Sequence, residues 1–209
     1  PGRAPGQGMP IEEVVARAMT SIVGTGGARF HVGGREGPVD TVYLGVFDRA
    51  AGDAVGWFDE SLVRNQDYEL NVRLRAAGGT VWFDPALSVS YRPRGSLRAL
   101  ARQYHEYGLW KAEVLRRHPD SVKLRQVLPP LAVGAMAAST VASPWSSTAR
   151  RIASIGALAW CGAGWSVDRR RAPLAVAVLA TMHVAWATGI ARGALRDAAP
   201  ASATPSDTH

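Results

Sequence analysis

Cysteine and lysine are both scarce in this sequence. Its 209 residues contain one cysteine, Cys161, so neither an intrachain disulfide nor a cysteine-based metal cluster is possible. No cleavable signal peptide is visible. The chain begins at Pro1 inside a run rich in glycine and proline, from which we expect that further sequence precedes it.

The basic residues are almost all arginine. There are 24 basic and 17 acidic residues, a net charge of +7, and only Lys111 and Lys123 are lysines. Guanidinium groups suit bidentate contact with phosphate, which leaves nucleic acid, an anionic membrane face and a phosphorylated substrate as possible partners. A basic cluster just before a long apolar region favours the membrane. Nucleic acid is the weakest of the three, because the arginines are spread along helices and no base-stacking strand motif is present.

Charged residues are missing from three long segments after residue 126. These segments, residues 127–143, 152–167 and 173–191, are 17, 16 and 19 residues long and are separated by arginine clusters. Their lengths are close to the roughly 20 residues that a spanning helix needs. We therefore expect about three membrane helices within residues 127–196. Because the segments are rich in alanine and glycine, a soluble helical bundle is the alternative.

Residues 1–95 have a mixed α/β pattern. Apolar residues recur at helical spacing after Pro10, which suits the first turn of a helix. Residues 39–47 form an apolar run that predicts a buried β-strand, and residues 80–83 and 87–91 predict two shorter strands. Asp40 stands at the entry of the first strand, where a core position should be apolar, and is therefore a candidate site residue.

A short helix with acidic residues in its first turn follows residue 64. Asn65 is a suitable N-cap, and Gly78 with the glycine after it supplies a stop. Asp67 then lies in the first turn, where exposed amides and the helix dipole favour an ionised carboxylate that can accept a proton. Simple helix capping is the alternative role for Asp67. Glu69 and Arg73, four residues apart, predict a surface ion pair.

Residues 96–126 predict a long amphipathic helix followed by a basic linker. Ser96 is the expected cap, with aromatic and aliphatic residues on one face and arginines around them. Such a helix lies at a membrane interface or packs on a soluble domain, and the pattern alone does not separate the two. Residues 197–209 are small and polar, and we expect them to be disordered.

Several motifs in order resemble the second half of the catalytic domain of family 2 glycosyltransferases, most closely the membrane-bound bacterial kind that builds exopolysaccharides such as succinoglycan. The resemblance covers roughly residues 10–195. It rests on residues 37–41 (GPVDT), 45–47 (GVF), 55–60 (VGWFDE), 65–70 (NQDYEL), 82–85 (WFDP), 91–94 (YRPR), 103–108 (QYHEYG) and 110–111 (WK).

The resemblance implies an α/β fold: the C-terminal, acceptor-side part of a GT-A-type mixed sheet in residues 1–95. By the same resemblance Asp67 is the catalytic base that deprotonates the acceptor hydroxyl, which then attacks the anomeric carbon with inversion. The residues implied to bind substrate are Asp40, Gly45, Asp59, Glu60, Gln103, Tyr107 and Trp110.

Two positions depart from the family pattern. Gln66 stands where the family often has glutamate, which removes a charge beside the base. Gln103 and Tyr107 fall where processive relatives carry Gln-x-x-Arg-Trp, but Glu106 replaces the arginine. This replacement argues against processive synthesis.

The metal-binding motif of the family is absent. The family holds Mg²⁺ or Mn²⁺ on the donor diphosphate with an Asp-x-Asp motif from its first half, and no Asp-x-Asp occurs in this sequence. We therefore expect the complete enzyme, and not this chain alone, to transfer sugar. The implied partners are a nucleotide-sugar donor, a lipid-linked saccharide acceptor and the cell inner membrane, with the catalytic part cytoplasmic. A non-catalytic membrane scaffold or binding module that retains the fold is the alternative function.

Overall fold

The computed structural model describes residues 10–89 and 91–196, and helices dominate this part of the chain. The predicted tail, residues 197–209, lies outside the described residues. The helices are α1 (Pro10–Met19), α2 (Ile22–Thr25), α3 (Arg29–Val32), α4 (Arg49–Val55), α5 (Gln66–Ala76), α6 (Leu97–Arg117), α7 (Leu124–Ala142), α8 (Ser147–Val167) and α9 (Ala172–Ala194), with a 3₁₀ turn at Pro119–Ser121 between α6 and α7.

The predicted α/β fold with a GT-A-type mixed sheet is wrong. Within the described residues the sheet has two strands, β1 (Gly37–Pro38) and β2 (Trp82–Phe83), which pair antiparallel with Gly37 opposite Phe83. Residues 39–47 form an irregular loop rather than a buried strand. Leu44 has a φ of +52°, which no strand tolerates, and Val46 is 87% exposed. The apolar run has the composition of a strand, but within the described residues its backbone pairing stops after the Val39 N–H, which donates to the Val81 carbonyl oxygen at 2.9 Å.

The centre of the helical part is α9. It contacts α1, α2, α6, α7 and α8, and its inward residues Val178, Leu179 and Met182 are fully buried. Val14 and Val15 of α1 pack into the same core. The remaining buried members of this core are Ala18, Met19, Leu100, Tyr104, Ala175 and Ala185.

Small residues let α6 and α9 approach to backbone contact. A Cβ atom on Gly189 would lie 2.2 Å from the carbonyl oxygen of His105, and one on Gly108 would lie 2.4 Å from that of Trp186. Since real Cβ atoms do not come this close to a carbonyl oxygen, larger side chains are excluded at these positions.

The prediction of three membrane helices is wrong, although all three segments are helical. Among the described helices only α9 is long and apolar enough to cross a membrane. The alanine and glycine of α7 and α8 give these helices too little hydrophobicity for that, and Pro129 and Pro130 lie inside α7. Because α9 also forms the core of the bundle, its length and composition equally fit a buried core helix.

Helix α6 begins as predicted, and most of its apolar face is covered by protein. The Ser96 hydroxyl accepts a hydrogen bond from the Ala99 N–H at 3.2 Å. Leu100 and Val114 are fully buried, the former against α9 and the latter against Leu62 in a second, smaller core. This packing favours the alternative of a helix docked on the protein over the predicted interfacial helix. The second core also contains Tyr68 and Val72, and through them it holds α5 in place.

Candidate active site

Helix α5 starts where the sequence predicts, but its cap differs from the expected one. Asn65 occupies the N-cap position with a φ of +64°, and its side chain makes no capping hydrogen bond. Instead the Asn65 amide donates to the carbonyl oxygen of Tyr107 at 3.0 Å. The first turn of α5 is therefore tied to the middle of α6, and Asp67 is held beside that helix.

Asp67 is half-buried and accepts a hydrogen bond from the backbone N–H of Leu44. Burial raises the pKa of the Asp67 carboxyl above its ordinary value, and the Leu44 N–H offsets only part of this effect. Among the described residues no basic side chain forms an ion pair with it. A higher pKa makes the carboxylate a stronger base, which is the direction that proton abstraction requires.

Gln103 and Tyr107, both predicted from the resemblance, lie together on α6. The buried Gln103 donates hydrogen bonds to the hydroxyls of Tyr107 at 2.8 Å and Tyr91 at 2.9 Å, and accepts one from Arg94 at 3.2 Å. Burial raises the pKa of Tyr107, so this phenol stays protonated at neutral pH. The cluster presents hydroxyl and amide groups that are typical partners of sugar hydroxyls.

Arg64 brings a cation to the same region. Its guanidinium donates to Glu106 through Nε at 3.3 Å and Nη2 at 3.1 Å, and its charge acts on Tyr107. The arginine that processive relatives carry on this helix is thus replaced by a Glu106–Arg64 pair. We name Asp67, Leu44, Arg64, Gln103, Tyr107 and Tyr91 the Asp67 site.

Arg64, Leu44 and Tyr91 belong to this site but were not predicted. Arg64 directly precedes the NQDYEL motif, and Tyr91 opens the YRPR motif, so the sequence signal for both lies in or next to a recognised segment. Leu44 contributes a backbone N–H, and a residue pattern carries no signal for such a group. Gly45, predicted to bind substrate, is the next residue of the same loop, where an added Cβ would come within 3.2 Å of Val42.

The predicted substrate residues Asp59 and Glu60 lie in the turn before α5. The Asp59 carboxylate accepts hydrogen bonds from Arg117 at 2.6 Å and from the Ser61 N–H at 2.8 Å. Burial alone would raise the pKa of Asp59, but the Ser61 hydrogen bonds and the Arg117 charge lower it below its ordinary value. Asp59 thus fixes the turn, while Glu60 is exposed to solvent.

The predicted substrate residues Asp40 and Trp110 contact other protein groups. Asp40 forms an ion pair with Arg125, and Trp110 packs on the second core. Next to Trp110, the buried Nζ atom of Lys111 lies 3.0 Å from the centre of the Tyr68 ring. These contacts hold α5, α6 and the start of α7 together.

The Glu69–Arg73 ion pair forms as predicted, but it is not a surface pair. Glu69 is 3% exposed and binds Arg73 through both carboxylate oxygens, at 2.7 and 2.8 Å. Arg73 also donates to the carbonyl oxygens of Val55 and Trp57, and His118 contacts Glu69 at 3.0 Å. The pair anchors the VGWFDE segment on α5.

The residues of the Asp67 site do not suit Mg²⁺ or Mn²⁺. In residues 10–89 and 91–196 no group of three or more histidine, cysteine or acidic side chains is placed to hold a metal ion. The neighbouring carboxylates Asp59 and Glu69 are already bound by arginines, and Asp67 supplies one carboxylate. A divalent cation requires more oxygen ligands than this.

The chain is similar to the succinoglycan biosynthesis protein ExoA of Rhizobium meliloti (strain 1021), with 32% identity over 190 residues. The aligned region covers 87% of this chain and 56% of the relative, so the chain spans about half the length of the curated relative that it matches. No protein-family profile matches the sequence, and no solved structure matches it. The similarity confirms the part of the predicted resemblance that concerns exopolysaccharide biosynthesis.

Proposed function

We propose that the chain is the acceptor-side part of an inverting family 2 glycosyltransferase of bacterial exopolysaccharide synthesis. The observation that carries the proposal is the Asp67 carboxylate, which is half-buried, oriented by a backbone N–H and left without an ion-pair partner among the described residues. Its helix is joined through Asn65 to Tyr107, which belongs to a cluster of tyrosine and glutamine side chains. The similarity of the chain to a succinoglycan biosynthesis protein supports the same class of reaction.

In the proposed reaction Asp67 acts as general base. Its carboxylate accepts the proton of an acceptor hydroxyl while that oxygen attacks the anomeric carbon of a nucleotide sugar. The new C–O bond forms as the bond to the diphosphate breaks, and the diphosphate leaves with the electron pair. Attack from the face opposite the leaving group inverts the anomeric centre. The raised pKa of Asp67 increases its proton affinity for this step.

The Gln103 cluster is the proposed acceptor subsite. Gln103 fixes the hydroxyls of Tyr91 and Tyr107, so each phenol has a defined direction in which to donate to a sugar oxygen. The Tyr107 carbonyl is bonded to Asn65, two residues before the base. The acceptor sugar, which we propose is lipid-linked, would thus be held next to Asp67 by groups whose positions are already set.

We place the nucleotide-sugar donor and its Mg²⁺ or Mn²⁺ on residues outside this sequence. The sequence contains no Asp-x-Asp, and the relative is considerably longer than the aligned region. In this arrangement the chain supplies the base and the acceptor subsite.

Exposed apolar side chains support membrane association. Leu131 of α7 is 63% exposed, Leu158 of α8 is 71% exposed, and Trp145 between the two helices is 82% exposed. Exposed arginines, Arg150 and Arg151, stand at the same end of α8 as Trp145. We propose that this surface meets the cytoplasmic face of the cell inner membrane, with the Asp67 site on the same side.

The test compares Asp67→Asn with Asp48→Asn in the complete enzyme. Asp48 caps α4 by accepting from the Ala51 N–H at 2.9 Å, and asparagine caps equally well. We expect transfer to a lipid-linked acceptor to fall by roughly 10² to 10⁴ for Asp67→Asn, the range for loss of a general base, and to stay normal for Asp48→Asn. Normal turnover of Asp67→Asn would mean that Asp67 only caps its helix or that the chain is a non-catalytic scaffold.

A further inference from the structure

Asn71 is a buried polar residue that core packing does not explain. It lies one helical turn after Asp67 on α5 and is 1% exposed, between the apolar neighbours Leu70 and Val72. Its amide nitrogen donates to the Thr41 hydroxyl at 2.9 Å and to the Val42 carbonyl oxygen at 3.1 Å. Because a carbonyl oxygen only accepts, the nitrogen and not the oxygen of the Asn71 amide faces the loop.

The other half of the amide has no partner. The Asn71 Oδ1 atom is buried without a hydrogen bond among the described residues. A buried unpaired acceptor costs stability, and leucine would avoid this cost while filling a similar volume. The protein keeps asparagine here in spite of this cost, so the two donated hydrogen bonds are the contribution that asparagine makes.

These hydrogen bonds hold the first part of a loop whose aromatic contacts lie at its end, where Phe47 packs edge-on against Trp57 and Phe58. In the loop of residues 41–47 the side chains of Tyr43, Leu44 and Val46 are 49%, 58% and 87% exposed. Leu44 adopts a φ of +52°, the left-handed conformation that is unfavourable for a residue with a side chain. An exposed, strained backbone keeps one geometry only when its neighbours enforce it.

We propose that Asn71 is a positioning residue for the Asp67 site: it fixes the loop so that the Leu44 N–H points at the Asp67 carboxylate and sets the direction of the oxygen that accepts the acceptor proton. This inference rests on the proposed function at one point, which is the role of Asp67 as the general base. The chain of contacts runs from the Asn71 amide to Thr41 and Val42, then along two residues of backbone to Leu44, and from its N–H back to α5.

The direction of the effect follows from the Leu44 hydrogen bond. This bond lowers the pKa of Asp67 against the larger, raising effect of burial. When the loop loses its anchor, the bond weakens and the pKa of Asp67 rises further. The acidic limb of the pH profile of kcat/KM then moves to higher pH, because more of the base is protonated at each pH.

The variant Asn71→Leu removes both donors and retains the volume, and Leu70→Ala is the matched control on the same helix. Leu70 is fully buried and contributes no polar group, so its truncation lowers stability without releasing the loop. The readouts are the titration of the Asp67 carboxyl by ¹³C NMR in the complete enzyme labelled at aspartate, and the pH profile of transfer. We expect Asn71→Leu alone to raise the Asp67 pKa and to reduce kcat/KM at neutral pH about tenfold, the value of one or two lost hydrogen bonds.

Thr41→Val is the second variant, for use if Asn71→Leu does not fold. It removes one of the two acceptors with little change of shape, and we expect a smaller upward shift of the same titration. A folded Asn71→Leu or Thr41→Val protein with an unchanged Asp67 titration would overturn the positioning role. A shifted titration combined with full activity of Asp67→Asn would leave the positioning role standing and reject Asp67 as the base.

Discussion

At the scale of single residues, Asp67 differs from the other acidic groups around α5. Asp59 and Glu69 are bound by Arg117 and Arg73, and Asp40 by Arg125. In a sequence with 24 basic residues, the structure nevertheless gives the Asp67 carboxylate a single backbone N–H. A half-buried carboxylate with a raised pKa and no ion-pair partner among the described residues destabilises the folded state, and groups of this kind concentrate at functional sites.

The first prediction is that Asp67→Asn stabilises the folded protein at neutral pH. The folded-state pKa of Asp67 is above its ordinary value of 3.8, so the charged form is disfavoured in the folded state. Its contribution to stability therefore falls as the pH rises from the unfolded pKa through the folded one. Asparagine carries no such cost. We expect urea unfolding to give a higher free energy of unfolding for Asp67→Asn than for the unchanged protein at about pH 7. This difference should disappear at about pH 3, below the unfolded pKa.

Asp59→Asn is the control, for which we expect the opposite change in stability at neutral pH. The folded-state pKa of Asp59 is lowered, so its stabilising contribution is present above the unfolded pKa and is lost as the pH falls through the folded one. Asp59→Asn should therefore lower stability at neutral pH. A loss of stability for both variants would show that Asp67 caps α5 and contributes more by doing so than its burial costs.

At the scale of elements, the sequence predicted what depends on local pattern and failed where distant contacts decide. Helices α5 and α6 start at the predicted positions, because periodicity and caps such as Ser96 are local signals. The predicted strand at residues 39–47 became a loop, because a strand needs a partner that the pattern does not reveal. Gln103 and Tyr107 were predicted from their motif, whereas Leu44 and Asn71 make contacts that join distant segments and leave no local sequence signal.

The α6–α9 crossing gives a prediction about glycine. A Cβ on Gly189 would lie 2.2 Å from the His105 carbonyl oxygen, so Gly189→Ala forces the two helices apart and should destabilise the protein by about 1–3 kcal/mol. Gly162 of α8 is the matched control, since an added Cβ there meets nothing within 4 Å. Gly162→Ala should stabilise the protein by about 0.5–1 kcal/mol through helix propensity. Thermal unfolding measures the stability of both variants. Equal changes in stability would show that α6 and α9 are not in close contact at Gly189.

At the scale of the whole molecule, apolar side chains are distributed unevenly over the surface. The core lies between α1, α6 and α9, while α7 and α8 pack on α9 and on each other. Their outer residues Leu128, Leu131 and Ile155 are 55%, 63% and 66% exposed. Exposed apolar residues grouped on two neighbouring helices mark a region that meets a membrane or another protein. The arginines at the end of α8 favour an anionic lipid surface.

The last prediction is that charge on the outer surface of α7 and α8 releases the protein from lipid. Leu131→Glu with Leu158→Glu should weaken binding to vesicles that contain anionic phospholipid by more than tenfold, because each buried leucine contributes about 1.5–3 kcal/mol and glutamate is repelled by the same surface. Ile22→Glu is the control, since Ile22 of α2 is 72% exposed but lies off these two helices. Vesicle co-sedimentation at low and high salt measures both. Equal losses for the control and the double variant would point to net charge as the cause, and unchanged binding of the double variant would remove α7 and α8 from the membrane contact.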